Sequence, residues 1–324
     1  MTDVGYVVYG AGAVGGVVGG RLFEAGLEVT LIARGRHLDV LRAGGLTVES
    51  PDRSVTLEIP AVGHPREIDW RNRPVVLMAM KSQHTLAALA DLAEVSPAGT
   101  PIVCLQNGIA NEPAALRFFP HVHAVCVMCP AGHLEPGTVQ AWSTPTTGML
   151  DIGRFPRGSD ETSHSVSADL AKATFSSNAV PDIARWKNRK LLVNLGNAVE
   201  AICGPDQRGG PLLGVLLAEG EAALSAAGMP VASQDEDRTR RADHLQLGDI
   251  AGRTRQGGSS WQSVQRGTGN IETDYLNGEI VSIGRLHDVP TPANQLIQTL
   301  ARKTASSRQP GTMAAASILE QLEV

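Results

Sequence analysis

Short apolar runs alternate with helical patterns in the first third of the chain, which is typical of a parallel sheet with crossover helices. Apolar runs cover residues 7–9 and 28–33, and a glycine-rich turn and a helical pattern lie between them. Two further runs, at 74–80 and 102–105, are bounded by polar residues, as buried parallel strands are. Leucines at three-residue spacing over 86–92 predict a helix between those two strands.

The pattern changes between residues 121 and 153. Strand-like runs at 124–128, 137–142 and 149–152 are separated by turn residues. This predicts that the first domain ends in strands that tend to be antiparallel. Residues 157–165 are polar and predict a surface loop. Residues 168–175 predict the last helix of this domain.

From residue 181 onward the periodicity is helical. Helices are predicted at 191–202, 212–227, 270–287 and 292–306. The pattern therefore predicts an α/β protein, with a Rossmann-type dinucleotide-binding domain at 1–180 and a mainly α-helical domain at 181–324. We expect the active site in the cleft between the two domains.

The turn after the first strand has the spacing Gly-x-Gly-x-x-Gly. It comprises Gly10, Ala11, Gly12, Ala13, Val14 and Gly15. The first glycine permits the tight turn, the second lets a pyrophosphate approach the backbone, and the third lets the helix pack on the strand. The free N–H groups of the helix then face the phosphates. This turn predicts a dinucleotide site.

The end of the second strand indicates which dinucleotide is bound. An NAD site normally places a carboxylate about 20 residues beyond the first glycine, on the ribose 2′-hydroxyl. Here the sequence is Ala33-Arg34-Gly35-Arg36-His37, which has no carboxylate. Arginine binds a 2′-phosphate through charge-assisted hydrogen bonds, so NADP(H) is favoured. The alternative is that Arg34 and Arg36 are ordinary solvated charges.

Composition excludes several other classes of protein. The 324 residues are 42% hydrophobic and 19% charged, an ordinary globular composition. A net charge of −5 gives no support for nucleic-acid binding. The apolar stretches are short and the first residues do not resemble a signal peptide, so we expect no membrane partner and a cytoplasmic location.

The cysteines invite a metal or redox interpretation that the pattern does not favour. Cys126 and Cys129 lie in a strand-like run after His121 and His123. Residues three apart on a strand point to opposite faces, so buried thiols are the favoured interpretation. No cluster with metal-ligand spacing is present in the sequence, and we expect no metal.

Several polar residues lie where chemistry is expected. Lys81 and Asn107 follow the third and fourth apolar strands, and open α/β sheets bind ligands at the carboxyl ends of their strands. Lys190 and Asn194 are four residues apart, so they share one face of a helix.

With these features the chain resembles the ketopantoate reductase (2-dehydropantoate 2-reductase) family over nearly its whole length. The matching motifs are the glycine turn with its basic residue, Lys81, Gln106-Asn107-Gly108, Lys190-Leu191-Leu192-Val193-Asn194, Ser259-Ser260, and the run from Ile271 to Gly278. The resemblance implies NADPH-dependent reduction of a 2-oxo acid to a 2-hydroxy acid, with pantoate feeding pantothenate and coenzyme A synthesis.

The resemblance also implies roles for individual residues. Lys190 would be the general acid that protonates the carbonyl oxygen, and Glu272 would orient it through an ion pair. Asn107 and Asn194 would donate hydrogen bonds near the nicotinamide, the carbonyl or the substrate hydroxyl. Ser260 would bind the substrate carboxylate. Lys81 and Glu272 are further expected on the cofactor side of the cleft.

Two departures from the family pattern fall on the substrate side. The second asparagine of the family would stand at residue 198, which is alanine here, while Asn197 comes one place early. A shift of one residue rotates a helical side chain by about 100°. Trp261-Gln262-Ser263-Val264 replaces the usual methionine-rich segment. These changes leave open a paralogous reductase that acts on another 2-oxo acid.

A third hypothesis is a catalytically silent NADPH-binding sensor, which would bind the cofactor without turnover. Retention of both Lys190 and Glu272 argues against it, because a sensor needs no proton donor. The expected partner is a small 2-oxo acid, and the helical second domain could also support a homodimer.

Overall fold

The structure is a computed structural model that describes residues 5–242, 244–255, 257–265, 267, 269, 271–309 and 311–322. Internal contacts divide the chain into two compact units. Unit 1 comprises Met1–Asn107, Asn111–Ala184 and Asp235–Arg255, and unit 2 comprises Gly108–Ala110, Arg185–Gln234 and Gln256–Val324. A domain boundary after residue 180 stays a prediction.

The strands found in the described residues all belong to unit 1. They are β1 (Tyr6–Tyr9), β2 (Val29–Ile32), β3 (Leu46–Glu49), β4 (Ser54–Leu57), β5 (Ala61–Val62), β6 (Val75–Met78), β7 (Ile102–Cys104), β8 (Val122–Met128), β9 (Ala131–Gly132), β10 (Thr138–Ala141), β11 (Gly148–Arg154) and β12 (Phe175–Ser176).

Helices occur in both units. They are α1 (Ala13–Glu24), α2 (Gly35–Gly44), α3 (Thr85–Val95), α4 (Asn111–Ala115), α5 (Glu161–Lys172), α6 (Ile183–Asn194), α7 (Gly196–Cys203), α8 (Pro211–Ala226), α9 (Gln234–Arg241), α10 (Ser259–Gln265), α11 (Asn277–Leu286), α12 (Pro292–Ser307) and α13 (Ala315–Glu320). Two short 3-10 helices lie at candidate-site residues: Ser82–His84 directly follows Lys81, and Glu272–Tyr275 begins at Glu272.

An eight-stranded sheet forms the centre of unit 1, in the order β12-β11-β8-β7-β6-β1-β2-β5. Its pairings are parallel except that of β8 with β11, which is antiparallel. Both faces are buried, and neighbouring residues such as Val7 and Val8 pack into different hydrophobic clusters. The predicted Rossmann-type α/β domain, with antiparallel pairing in its last part, is confirmed.

A second sheet, in the order β4-β3-β10-β9, was not predicted. Helix α1 packs between the two sheets and uses glycines on two faces. A Cβ at Gly19 would lie 2.8 Å from Leu31 of the large sheet, and one at Gly20 would lie 2.7 Å from Val48 of the small sheet. The glycine-rich sequence of α1 therefore allows both sheets to approach the same helix.

Two predictions about the end of unit 1 were wrong. Helix α5 begins at Glu161, inside the segment predicted as a loop, because the Asp160 carboxylate accepts the backbone N–H of Ser163 at 2.9 Å and caps the helix. The helix ends at Lys172, and Phe175 lies in β12 instead of the predicted helix 168–175.

Segment Asp235–Arg255 belongs to unit 1, although the sequence placed it in the helical domain. Arg240 donates from Nε to the buried carboxylate of Asp151 at 2.6 Å. Leu247 forms an antiparallel bridge with Ser143. These contacts hold the segment against β11 and the residues that follow β10.

Unit 2 is helical in the residues described. The predicted helices 212–227 and 292–306 correspond to α8 and α12. The predicted helix 270–287 is instead the 3-10 helix Glu272–Tyr275 followed by α11, and Asn270 lies outside the described residues. The predicted helix 191–202 is interrupted at Leu195, where α6 has ended and α7 begins one residue later.

Candidate active site

The glycine turn lies between β1 and α1. Gly10 has φ +102°, and a Cβ there would lie 2.7 Å from the backbone nitrogen of Met80, so only glycine fits. At Gly12 the only described heavy atom within 4 Å of an added Cβ, beyond its chain neighbours, is His133 Nδ1 at 4.0 Å. Open space therefore faces the first turn of α1, where a pyrophosphate would be held by backbone N–H groups. The turn fits a dinucleotide.

Two histidines support this turn and were not predicted. His37 Nδ1 accepts the N–H of Gly137 at 2.9 Å, so its Nε2 carries the hydrogen and donates to the carbonyl of Ala11 at 2.7 Å. Burial lowers the pKa of His37, which agrees with this neutral form. The His133 ring lies 4.4 Å from the His37 ring. In the sequence, the one sign that His37 lies near the dinucleotide site was its position directly after Arg36.

Arg34 and Lys81 lie at the same edge of the large sheet. Tyr9, the last residue of β1, pairs with Ile32 of β2 on one side and Met78 of β6 on the other. The chain leaves β2 towards Arg34 and leaves β6 towards Lys81. Arg34 is exposed and Lys81 is half-buried. The structure thus brings both predicted basic residues to the carboxyl ends of the two strands that flank β1.

The next strand along, β7, brings Asn107 to this edge. Gln106 donates to the carbonyl of Met80 at 2.8 Å, which ties the end of β7 to the residue before Lys81. The carbonyl of Asn107 accepts the side chain of Asn111 at 3.2 Å. The backbone at Asn107 is therefore fixed by partly buried hydrogen bonds on both sides.

In unit 2, Lys190 and Asn194 lie on the last two turns of α6. Asn194 is buried and Lys190 is half-buried. Leu195 is the N-cap of α7, and its carbonyl accepts the buried Asn277 side chain at 3.4 Å. Asn277 belongs to the Ile271–Gly278 motif, so this motif stabilises the chain next to Asn194.

Asn197 and Ser260 lie on two helices that pack together, α7 and α10. Both are buried, and Asn197 Oδ1 has no hydrogen-bond partner among the described residues. A Cβ at Gly258, two residues before Ser260, would lie 3.6 Å from this oxygen. Glu200 of α7 accepts the N–H of Gly258 at 2.9 Å and fixes the start of α10. The structure therefore brings Asn197 to the segment that carries Ser260.

Glu272 begins the 3-10 helix Glu272–Tyr275 and is half-buried. This helix packs against α11 and α12. A Cβ at Gly108, which has φ +78°, would lie 2.8 Å from the carbonyl oxygen of Tyr275. An ion pair between Glu272 and Lys190 stays a prediction, as do the roles of all the site residues.

Cys126 agrees with the interpretation as a buried thiol, whereas Cys129 is half-buried. Cys126 lies in β8 with no exposed surface, and Cys129 follows the end of that strand. Burial raises the pKa of Cys129 to about 12, which disfavours the thiolate needed for metal binding or redox chemistry. In the described residues no group of three or more His, Cys, Asp or Glu is placed to hold a metal ion.

No helix within the described ranges combines the length and the apolar character that crossing a membrane requires.

Comparisons with known proteins agree with this arrangement. The family described as "Ketopantoate reductase PanE/ApbA" matches residues 6–157, and "Ketopantoate reductase PanE/ApbA C terminal" matches residues 182–305. A 2-dehydropantoate 2-reductase from Pyrococcus horikoshii is 27% identical over 310 residues, which are 92% of this chain and 97% of that protein.

Solved structures show the same fold. A PanE/ApbA family ketopantoate reductase from Ralstonia eutropha JMP134 has a TM-score of 0.77 and 26% identity, covering 94% of this chain and 99% of that one. D-mandelate dehydrogenase, solved with NADH and anilino(oxo)acetate, has a TM-score of 0.80, with the same coverage, but only 20% identity, so it shares the fold alone. The chain belongs to the ketopantoate reductase PanE/ApbA family and is an NADP(H)-dependent oxidoreductase.

Proposed function

We propose that this protein reduces 2-dehydropantoate to pantoate with NADPH, a step of pantothenate and coenzyme A biosynthesis. The observation that carries the proposal is the combination of two residue sets. One is the open glycine turn with basic residues at the adjacent strand ends in unit 1. The other is the polar set of unit 2 at the family's positions: Lys190, Asn194, Asn197, Ser260 and Glu272.

NADPH would be held mainly by unit 1. The backbone of the turn from Gly10 to Gly15 would bind the pyrophosphate, and Arg34 would bind the 2′-phosphate. Lys81, Asn107 and Glu272 are proposed to contact the cofactor closer to its reactive end. When bound, NADPH supplies the hydride that reduces the carbonyl carbon of the substrate.

Lys190 is proposed as the general acid. As the carbonyl carbon gains a hydride, its oxygen gains negative charge, and the Lys190 ammonium both stabilises that charge and donates the proton that makes the hydroxyl. The neutral amine then recovers a proton from water. Glu272 is proposed to hold Lys190 in position through an ion pair.

The substrate carboxylate is assigned to Ser260, and the substrate hydroxyl or carbonyl to Asn107 and Asn194. Asn197 joins this set because its buried Oδ1 lacks a partner in the described residues, and a hydroxyl donor from the substrate would satisfy it. This supports the view that Asn197 performs the function of the family's second asparagine despite its shifted position.

A second candidate is the reduction of another 2-oxo acid by the same residues. Ala198 is fully packed and offers no polar group, and Trp261 on α10 is partly exposed beside Ser260. The fold is shared with D-mandelate dehydrogenase, so the fold does not determine the substrate. In either case we propose a small-molecule substrate and a cytoplasmic location for the protein. A homodimer stays a prediction, which analytical ultracentrifugation can test.

The test is the initial rate of NADPH oxidation with 2-dehydropantoate and with a panel of other 2-oxo acids, compared as kcat/KM. Highest kcat/KM for 2-dehydropantoate supports the proposal. A preference for an aromatic or other branched 2-oxo acid would replace it with the second candidate. Tight NADPH binding without turnover on any acid would contradict both candidates and support the sensor hypothesis.

A further inference from the structure

A histidine lies against Arg34 in unit 1 and has no role in the reaction described above. His84 ends the 3-10 helix that follows Lys81, and its Nε2 is 3.3 Å from Nη2 of Arg34. The loops after β2 and β6 carry these two residues, and both strands pair with β1. The contact therefore lies at the strand edge where the proposed cofactor would place its adenosine ribose.

The chemistry of the contact fixes the protonation state of His84. A guanidinium only donates hydrogen bonds, so Nε2 must be the acceptor and the imidazole must be neutral. Burial, Arg34 and then Lys81 lower the pKa of His84. With two cations acting on it, this neutral histidine faces an electropositive site.

Acidic groups lie on α3, which follows His84 directly, and on the elements packed against α3. Asp91 on α3 accepts the Tyr9 hydroxyl at 3.2 Å and lies 3.8 Å from His64. Glu94, on the same helix, pairs with Arg66 at 2.6 Å. Two further carboxylates lie on elements packed against α3: Glu67, which pairs with Arg42, and the buried Glu112 of α4. Among the described residues, Arg34 is exposed and contacts the neutral His84 instead of a carboxylate, so its positive charge can attract an anion.

We propose that His84 and Arg34 together bind the 2′-phosphate of NADPH, and that His84 takes up a proton when the phosphate binds. This inference rests on the proposed NADPH-dependent function and adds a residue that determines cofactor specificity. In the free protein His84 accepts from Arg34. With the phosphate bound, both side chains donate to its oxygens.

The direction of the proton linkage follows from the charges. A phosphate monoester has a second pKa of about 6, so near pH 7.5 it binds almost entirely as the dianion. A dianion beside His84 favours the imidazolium and raises its pKa. NADPH binding should therefore be accompanied by net proton uptake. If Arg34 held the phosphate without His84, binding would select the dianion and release protons instead. NADH lacks the phosphate and should show neither effect.

The test is isothermal titration calorimetry of the full chain with NADPH and NADH, at about pH 7.5, in buffers of different ionisation enthalpy. The expected result is net proton uptake with NADPH only. The ratio of the Kd for NADH to the Kd for NADPH should rise about 3–10-fold between pH 8 and 6.5, since each pH unit contributes at most tenfold per proton.

The variant His84→Gln keeps a hydrogen-bond donor but cannot be protonated, so it should lose the uptake and the rise of the ratio at low pH. His164→Gln, at an exposed histidine of α5, is the matched control and should behave as wild type. Proton uptake that persists in His84→Gln, or that is absent from the wild type, would overturn the inference.

Arg34→Ala separates this inference from the proposed function. If Arg34→Ala weakens NADPH no more than NADH, the 2′-phosphate site itself is misplaced and the cofactor assignment of the proposed function fails with it. If Arg34→Ala weakens NADPH selectively while His84→Gln changes neither affinity nor proton uptake, only the role of His84 fails.

Discussion

Alanine at Gly12 should separate cofactor binding from stability. Added methyl groups at Gly12 and Gly15 meet different surroundings in the folded protein. At Gly12 the one described atom within 4 Å, apart from chain neighbours, is His133 Nδ1, at 4.0 Å. At Gly15 the methyl group would overlap the carbonyl of Gly10 and lie 2.8 Å from the Cβ of Ala79.

These surroundings set the expected magnitudes. Gly12 is the N-cap of α1, and replacing glycine by alanine at an N-cap costs about 0.5–1 kcal/mol of stability. Overpacking at Gly15 costs about 1–3 kcal/mol, and more if the backbone must shift. The methyl group of Gly12→Ala would instead occupy the space in which the pyrophosphate approaches the backbone. We expect about 10–100-fold weaker NADPH binding, or about 1.4–2.7 kcal/mol.

The assay pairs urea unfolding of the protein without cofactor with NADPH titration followed by fluorescence. Gly44→Ala is the control, because Gly44 is an exposed residue of α2 with no described heavy atom within 4 Å beyond its neighbours. It should bind NADPH normally and gain at most about 1 kcal/mol. Wild-type NADPH affinity in Gly12→Ala would refute the assignment of this space to the pyrophosphate.

Three further variants test other parts of the account. Lys190→Ala should lower kcat about 10²–10⁴-fold while the NADPH Kd stays near the wild-type value, as measured by steady-state kinetics and titration; unchanged kcat would exclude the general-acid role. Asn277→Ala should lower the free energy of unfolding by about 1–3 kcal/mol, because it removes the side-chain amide that donates to the buried Leu195 carbonyl. Urea unfolding measures this change, and a change within experimental error would contradict the prediction. Asp160→Ala should cost about 0.5–2 kcal/mol as a lost N-cap. Burial raises the pKa of Asp160, but hydrogen bonds from Ser163 and His123 outweigh this effect and lower the pKa overall. The stability that the charged carboxylate adds is therefore present above its pKa in the unfolded chain. It is lost as the pH falls through its pKa in the folded protein. Urea unfolding between about pH 7 and 3 should show a weaker loss in the variant, and parallel curves would count against this role.

The sequence predicted the elements whose pattern is local. Strands β1, β2, β6 and β7 are short apolar runs, and the glycine turn has a fixed spacing. The small sheet was missed, although its strand β10 lies in the predicted run 137–142, because its other strands carry a weaker signal. Strand β4 alternates exposed and half-buried residues over four positions, which a polar loop also does.

Other features were missed because they depend on tertiary contacts. The membership of Asp235–Arg255 in unit 1 rests on Arg240 and Asp151, which are 89 residues apart. The interruption of the predicted helix at Leu195 leaves the hydrophobic pattern intact, since that side chain is buried in either case. Periodicity reports which face is buried and does not report where a helix is interrupted.

The candidate site was predictable in its residue types and less so in its partners. Arg34 was indicated by the absence of a carboxylate, which is a local signal. His84 was not, because a histidine three residues after Lys81 gives no sign that it meets Arg34, 50 residues earlier in the chain.

The most direct test of the central claim is to follow the reacting hydrogen. The wild-type protein is incubated with 2-dehydropantoate and NADPH that carries deuterium at the transferable position of the nicotinamide, and the product is identified by mass spectrometry. The account predicts pantoate with one deuterium on the carbon that bore the carbonyl, formed in equal amount to the NADPH oxidised. NADPH oxidation without deuterated pantoate, or no turnover of this substrate, would contradict the claim.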